Sequence, residues 1–151
     1  MKSAPFLKAL NYAERLLAVK DRSRREIEQR LEDKSYNKDC IAEVVEYLKQ
    51  KGFVDDKRLV SEWLKASSTW RPKGVLAIKS ELYKRGINEE LINDALKDAD
   101  IGYDEYKIAK AIVEKRSKEL KGVNDFKRKK NLYSYLARRG FSFDVINDII
   151  E

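Results

Sequence analysis

The side chains that could carry out chemistry in this chain are few, and the missing ones are as informative as those present. No His occurs among the 151 residues. That removes the side chain whose ordinary pKa lies nearest neutrality, and with it the commonest metal ligand. A Ser-His-Asp or Cys-His site is impossible, and so is a His-based zinc site. The single Cys, Cys40, cannot build an all-Cys zinc site. Neither a P-loop nor a dinucleotide-binding glycine turn is present among the 6 glycines. Asp55-Asp56 could hold a magnesium ion against substrate phosphates. It could equally be an N-cap followed by a first-turn acid, which needs no ligand, and that reading is preferred. Nothing here points to an enzyme, a cofactor or a metal.

What remains is cations and aromatic rings. Arg22, Arg24, Arg25 and Arg30 gather around one helical segment, and Lys127-Arg128-Lys129-Lys130 opens another. Most of them sit at or near a helix N-terminus, where the dipole disfavours positive charge. A cost accepted there points to an anionic partner; the alternative is a merely solvated face. Lys84, Arg85, Arg138 and Arg139 precede turn glycines, where cations stabilise the helix end in any case. Trp70, beside Arg71 and Pro72, falls at a helix end or loop. It could stack on a base, anchor a partner protein, or cover an interface between units. Trp63 shares an apolar stripe with Leu59 and Leu64 and reads as core.

The elements that position these residues are helices. Charged residues make up 39% and apolar residues 42% of the chain, with a formal charge of +7. No run approaches the roughly 18 apolar residues of a membrane span. The apolar share is too high, and the charge too mixed, for disorder. One Cys fits a reducing compartment, and the start of the chain lacks a signal-peptide core. A cytoplasmic protein is the expectation. Apolar residues recur at three- and four-residue spacing almost throughout, as in Leu7, Leu10, Ala13, Leu16 and Leu17. Ser23-Arg24-Arg25-Glu26 is a capping box. Asn37, Asn88 and Ser142 suit N-caps, and Gly52, Gly86 and Gly140 suit helix ends.

These signals repeat. Leu31 to Ile41, Leu82 to Ile92 and Leu136 to Ile146 align residue by residue. Ser35, Gly86 and Gly140 fall in register, as do Asn37, Asn88 and Ser142. Tyr36, Ile87 and Phe141 follow the turn as apolar staples. Cys40 takes the place of Leu91 and Val145, as a small core residue would. A further helix precedes each pair, at about residues 7–20, 56–69 and 104–120. The expected fold is all-α: three tandem three-helix repeats over residues 1–52, 53–100 and 101–151, stacked into an elongated, curved array. The units carry +3, 0 and +4, so the basic excess lies at the two ends.

Three segments resemble one known family. Asp21 to Leu31 (DRSRREIEQRL), Gly52 to Val60 (GFVDDKRLV) and Lys73 to Ile87, with its E-L-Y-K-R-G-I ending, are similar in order and spacing to segments of the RecX regulatory proteins. Val75, Leu76 and Ala77 stand where that family often has Pro and a basic residue, although Lys79 remains. The third unit is the least similar. The resemblance implies a monomeric protein without catalytic activity or cofactor. It implies binding to the RecA protein filament, inhibition of its ATPase, strand-exchange and coprotease activities, and in some members direct binding of single- or double-stranded DNA. The candidate contacts are Arg22, Arg24, Arg25, Arg30, Trp70, Arg71, Lys73, Lys79, Lys127, Arg128, Lys129 and Lys130. A stand-alone helical DNA-binding protein is the alternative, and a repeat protein binding some other acidic partner is the third reading.

Overall fold

The computed structural model describes residues 3–151. The described residues form nine helices and no strand. They are α1 (Ala4–Val19), α2 (Arg24–Asp33), α3 (Lys38–Gln50), α4 (Asp56–Ser68), α5 (Val75–Lys84), α6 (Glu89–Lys97), α7 (Glu105–Glu119), α8 (Asp125–Arg138) and α9 (Phe143–Ile150). The first helix begins earlier than the apolar spacing predicts. The Ser3 hydroxyl accepts the Phe6 N–H at 3.3 Å, and Pro5 lies in the first turn, where its fixed φ and missing donor cost nothing.

Each helix packs mainly within its own group of three: α1–α3, α4–α6 and α7–α9. Three apolar cores follow. The first centres on Phe6, Ile27, Leu31, Val44 and Leu48. The second centres on Val60, Leu64, Ile78, Leu82 and Ile92, and takes in Tyr103. The third is smaller, with Ala109, Leu136, Phe141 and Ile146 fully covered. Cys40 lines the first core, where burial, with Glu43 beside it, pushes its thiol up. The accessible surface is 10027 Å². A compact monomer of this mass exposes about 7,900 Å², so the molecule is elongated.

The middle helix of every unit ends in the same turn. The N–H groups of Tyr36, Ile87 and Phe141 reach back to the carbonyls of Leu31, Leu82 and Leu136 at 3.1–3.2 Å. Ser35, Gly86 and Gly140 take positive φ values of 65°, 79° and 82°. This is the six-to-one closure of a helix end, which needs a left-handed residue.

Two of these turns also join the units. At the first joint, the head of α2 sits on the turn after α5. The Ser23 hydroxyl donates to the Arg85 carbonyl at 2.5 Å. At the second, the head of α5 sits on the turn after α8. There the N–H of Gly74 donates to Arg139 O at 3.0 Å, and that of Leu76 to Gly140 O at 2.9 Å. A Cβ on Gly74 would lie 2.2 Å from Phe141 Cα, and one on Gly140 would lie 2.3–2.8 Å from Ala77 atoms. The second unit thus reaches the carbonyl with its backbone, where the first uses a hydroxyl. The head of one helix meets the carbonyl end of another at both joints, so the dipoles attract.

Ser142 stands at the cap position of α9, but its side chain makes no cap bond. Its hydroxyl donates instead to Glu105 Oε1 at 2.5 Å. Glu105 Oε2 accepts the N–H groups of Val75 at 2.7 Å and Ser142 at 3.2 Å. One carboxylate of α7 thereby serves the heads of both α5 and α9, a better anion for them than a Ser oxygen.

Gly52 has the same sign of φ as Gly140 but nothing within 4 Å of a Cβ. It is a matched control. Gly52→Ala and Gly140→Ala should each lose about 1–2 kcal/mol to left-handed strain. Gly140→Ala should lose about 1–3 kcal/mol more through overpacking against Ala77. Urea unfolding followed by circular dichroism measures both, and equal losses would mean that the second joint tolerates an added methyl.

Candidate basic interaction surface

The joints place the basic residues. Chain order is α2, α5, α8, but head-to-tail order is α8, α5, α2, with one polarity throughout. Cations before each helix head therefore meet cations at the end of the next middle helix. The head of α2 brings Arg22, Arg24 and Arg25 beside Lys84 and Arg85. The head of α5 brings Trp70, Arg71 and Lys73 beside Arg138 and Arg139. Lys127–Lys130 lie at the other end of α8 and share neither joint. At 1.5 Å per residue, α5 separates the two joints by about 15 Å, and α8 sets the last group about 20 Å beyond the second.

Much of the first group is occupied within the protein. Arg24 pairs with Glu28, and its backbone N–H donates to Asp56 Oδ1 at 2.9 Å. Asp55 caps α4 through the Arg58 N–H at 3.0 Å. The Asp55-Asp56 pair is thus spent on two helix heads. Arg25 lays its stem where a Gly86 Cβ would sit, and its guanidinium reaches Glu32 at 3.4 Å and Glu28 at 3.8 Å. These acids answer the dipole conflict that the sequence raises. Arg22 is half-buried, with its Nε covered and unbonded. Arg30 is exposed and has no ion pair among the described residues.

Arg85, at a position that sequence explains as a helix-end cation, holds the first joint. Its Nε and Nη2 donate to Glu26 Oε1 at 3.1 and 2.8 Å, and Nη2 also donates to the Asp21 carbonyl at 2.9 Å. The same guanidinium lies 5.4 Å from the centre of the Trp63 ring. Burial pushes the Glu26 carboxyl up, but the Ser23 N–H, Arg85 and Lys20 outweigh it, and its pKa falls below 4.5.

At the second joint Trp70 is 73% exposed, and the Arg71 guanidinium lies 5.1 Å from its ring centre. Lys73 pairs with Glu81 at 2.5 Å, and its carbonyl accepts the Tyr103 hydroxyl at 2.6 Å. Burial first, then Glu105, pushes the Tyr103 hydroxyl far up, so it remains a donor. Lys79 is half-buried on α5. Arg139 donates to the Pro72 carbonyl at 3.4 Å and lies 4.8 Å from the Tyr135 ring centre, and Arg116 lies 4.0 Å from that same ring. In the last group, Arg128 and Lys129 share Asp125 at 2.5 and 3.5 Å. Lys127 and Lys130 are exposed, with no ion pair among the described residues. Arg116 and Arg139 are not among the candidates that sequence supplies. Nothing local marks them: Arg116 meets Tyr135 on another helix, and the bond from Arg139 to Pro72 crosses 67 positions.

The depressed Glu26 carboxyl gives the first joint an acid limit. Its stabilising share is complete above the unfolded value of 4.5 and is lost as pH falls through the lower folded value. The stability gap between the natural chain and Glu26→Gln should therefore hold steady above about pH 6 and shrink steadily below 4.5. Urea midpoints of both proteins across that range measure it, and a gap that does not change with pH would contradict the assignment.

Comparison with known proteins agrees with this architecture. The family descriptions "RecX, first three-helix domain", "RecX, second three-helix domain" and "RecX, third three-helix domain" match residues 9–48, 55–96 and 103–150. A protein named Regulatory protein RecX from Chlorobium phaeobacteroides (strain BS1) is 33% identical over 95% of this chain and 92% of its own length. Another of that name from Mycolicibacterium smegmatis (strain ATCC 700084 / mc(2)155) is 32% identical over 94% of this chain and 77% of its own. The crystal structure of RecX from Lactobacillus salivarius superposes with a TM-score of 0.83 at 26% identity, covering 97% of this chain and 94% of that one. With its three-helix units matched in order and nearly all of its length paralleled in such relatives, the chain belongs to the RecX family of regulatory proteins.

Proposed function

We propose that this chain binds the RecA recombinase on its DNA filament and restrains it, lowering its ATPase, strand-exchange and coprotease activities. It acts by occupancy and not by catalysis, as a monomer whose units over residues 1–52, 53–100 and 101–151 lie along the filament. The match of all three RecX domains along the chain carries this reading. The elongated form supports it, since a repeating partner is met best by a repeating surface. So does the spacing of basic groups at three places along the middle helices, which suits an extended anionic target and speeds encounter with it.

The geometry selects which cations to test. Reversing Arg25 would disturb the Gly86 contact and so confuse binding with folding. Lys127 and Lys130 are exposed and make no ion pair among the described residues, so Lys127→Glu with Lys130→Glu leaves the joints alone. Added below the RecA concentration, the natural chain should lower the DNA-dependent ATPase rate and co-sediment with filaments. The double reversal should require roughly tenfold more protein for the same effect, about 1.4 kcal/mol of binding. An unchanged ATPase rate and no co-sedimentation with the natural chain would defeat the proposal.

A further inference from the structure

The two joints are built from different parts. Across the second, backbone bonds to backbone, through the N–H groups of Gly74 and Leu76 and the carbonyls of Arg139 and Gly140. Across the first, among the described residues, each hydrogen bond at the head of α2 uses a side chain. Ser23 offers its hydroxyl, Asp56 its carboxylate, and Arg85 its guanidinium to Glu26 and to the Asp21 carbonyl. A side chain changes partner by rotating about single bonds, which a backbone group at a packed helix end does not do. The helix-end cations differ too in what stands one turn before them. In register they are Lys34, Arg85 and Arg139, and the residues four positions earlier are Arg30, Glu81 and Tyr135. Residues four apart share a helix face, and an acid on the N-terminal side of a cation is the favoured order. Of the three cations, only Arg85 has an acid there. Glu81 and Arg85 already touch one indole: Trp63 Nε1 donates to Glu81 Oε2 at 3.1 Å, and the Arg85 guanidinium lies 5.4 Å from the ring centre. Lys73 holds the other oxygen, Oε1.

We infer that the first joint is a hinge and that Arg85 is its latch, paired with Glu26 across the joint when it is closed and with Glu81 along α5 when it is open. The turn between α3 and α4 is the pivot. Val54 stays in the first core, and Gly52 has nothing within 4 Å of a Cβ to obstruct rotation. On opening, the guanidinium takes Oε2 of Glu81 in place of the indole N–H, while Lys73 keeps Oε1. Glu26 keeps the Ser23 N–H of its own unit. The half-buried charge of Arg85 is thus never left without an acid, which removes the main cost of parting the two units. The second joint has no such exchange. Tyr135 offers Arg139 a ring and no charge, and Gly74 lies against the backbone of Phe141. The first unit therefore turns against a rigid pair formed by the second and third. The hinge goes beyond the filament reading, because it is a property of the free chain.

The test is pulsed electron–electron resonance between spin labels on the full chain, with Cys40→Ala as background. Labels at Ala42→Cys and Lys97→Cys span the first joint, and labels at Lys97→Cys and Asp148→Cys span the second; all three positions are exposed. The distances across the second joint should form one narrow population, and those across the first should include an open one. Glu26→Gln should raise the open-to-closed ratio of the first joint about tenfold or more. Glu81→Gln, which keeps an oxygen for the Trp63 N–H, should lower that ratio about twofold, and should do so again when added to Glu26→Gln. If Glu81 merely braces the middle unit, its loss loosens the joint further, so the two readings differ in sign. Circular dichroism and urea midpoints establish that each labelled variant is folded. A first joint that stays single and narrow in Glu26→Gln would overturn the hinge. So would an open fraction in that chain that Glu81→Gln raises or leaves unchanged, or a second joint that opens as far as the first. Filament regulation is read by the ATPase rate, so each proposal can fail without the other.

Discussion

A helix head must satisfy its free N–H groups, and a helix end must satisfy its free carbonyls. In this protein the two needs meet each other. The heads of α2 and α5 sit on the ends of α5 and α8, so that the Ser23 hydroxyl at one joint, and the Gly74 and Leu76 N–H groups at the other, are spent on free carbonyls of the next unit. The apolar cores lie largely within the units, with Val54 of the second unit lining the first core and Tyr103, Ile101 and Ile108 of the third packed into or against the second. The relation between units rests on those apolar contacts and on a small number of polar contacts at two turns. That arrangement keeps the array extended, because stacking end to end hides far less surface than packing side by side.

The two joints differ in chemistry. The first depends on charge: Glu26 closes the capping box of α2 and at the same time takes the Arg85 guanidinium. The second depends on close approach, through Gly74 and Gly140, and on the Glu105 carboxylate set between two helix heads. Tyr103 adds a hydroxyl bond from the third unit to the loop before α5. Acid acts chiefly on the first joint, and added bulk chiefly on the second. Trp63 and Glu81 lie between them, touching Arg85 on one side and Lys73 on the other. The neutral middle unit is where both joints are anchored.

Most of the helical plan is legible in the sequence because it is local. The capping box at Ser23 and Glu26, the Asn37 and Asn88 caps, and the register of Ser35, Gly86 and Gly140 all lie within a few residues of what they control. The pairing of Arg24 with Glu28 is also within reach of sequence, since residues four apart share a helix face. Dipole reasoning alone leaves those arginines less compensated than they are. The role of Glu105 is out of reach. Its partners Val75 and Ser142 lie 30 and 37 positions away, and no spacing marks them. For the same reason Arg139 reads only as a helix-end cation, while its bond to Pro72 crosses 67 positions.

Ser35 differs from its two counterparts. It holds the same left-handed turn as Gly86 and Gly140, but among the described residues no helix head rests on it. A glycine there would leave a seat like those of the second and third units, where an added Cβ meets its neighbour within 2.5 Å. Serine fills that seat with its own Cβ and hydroxyl. The docking rule that builds the array is thus broken at its first member, and the stack has an end stop. A helix head of the kind that docks at Gly86 and Gly140 would meet a side chain at this turn in place of an open seat.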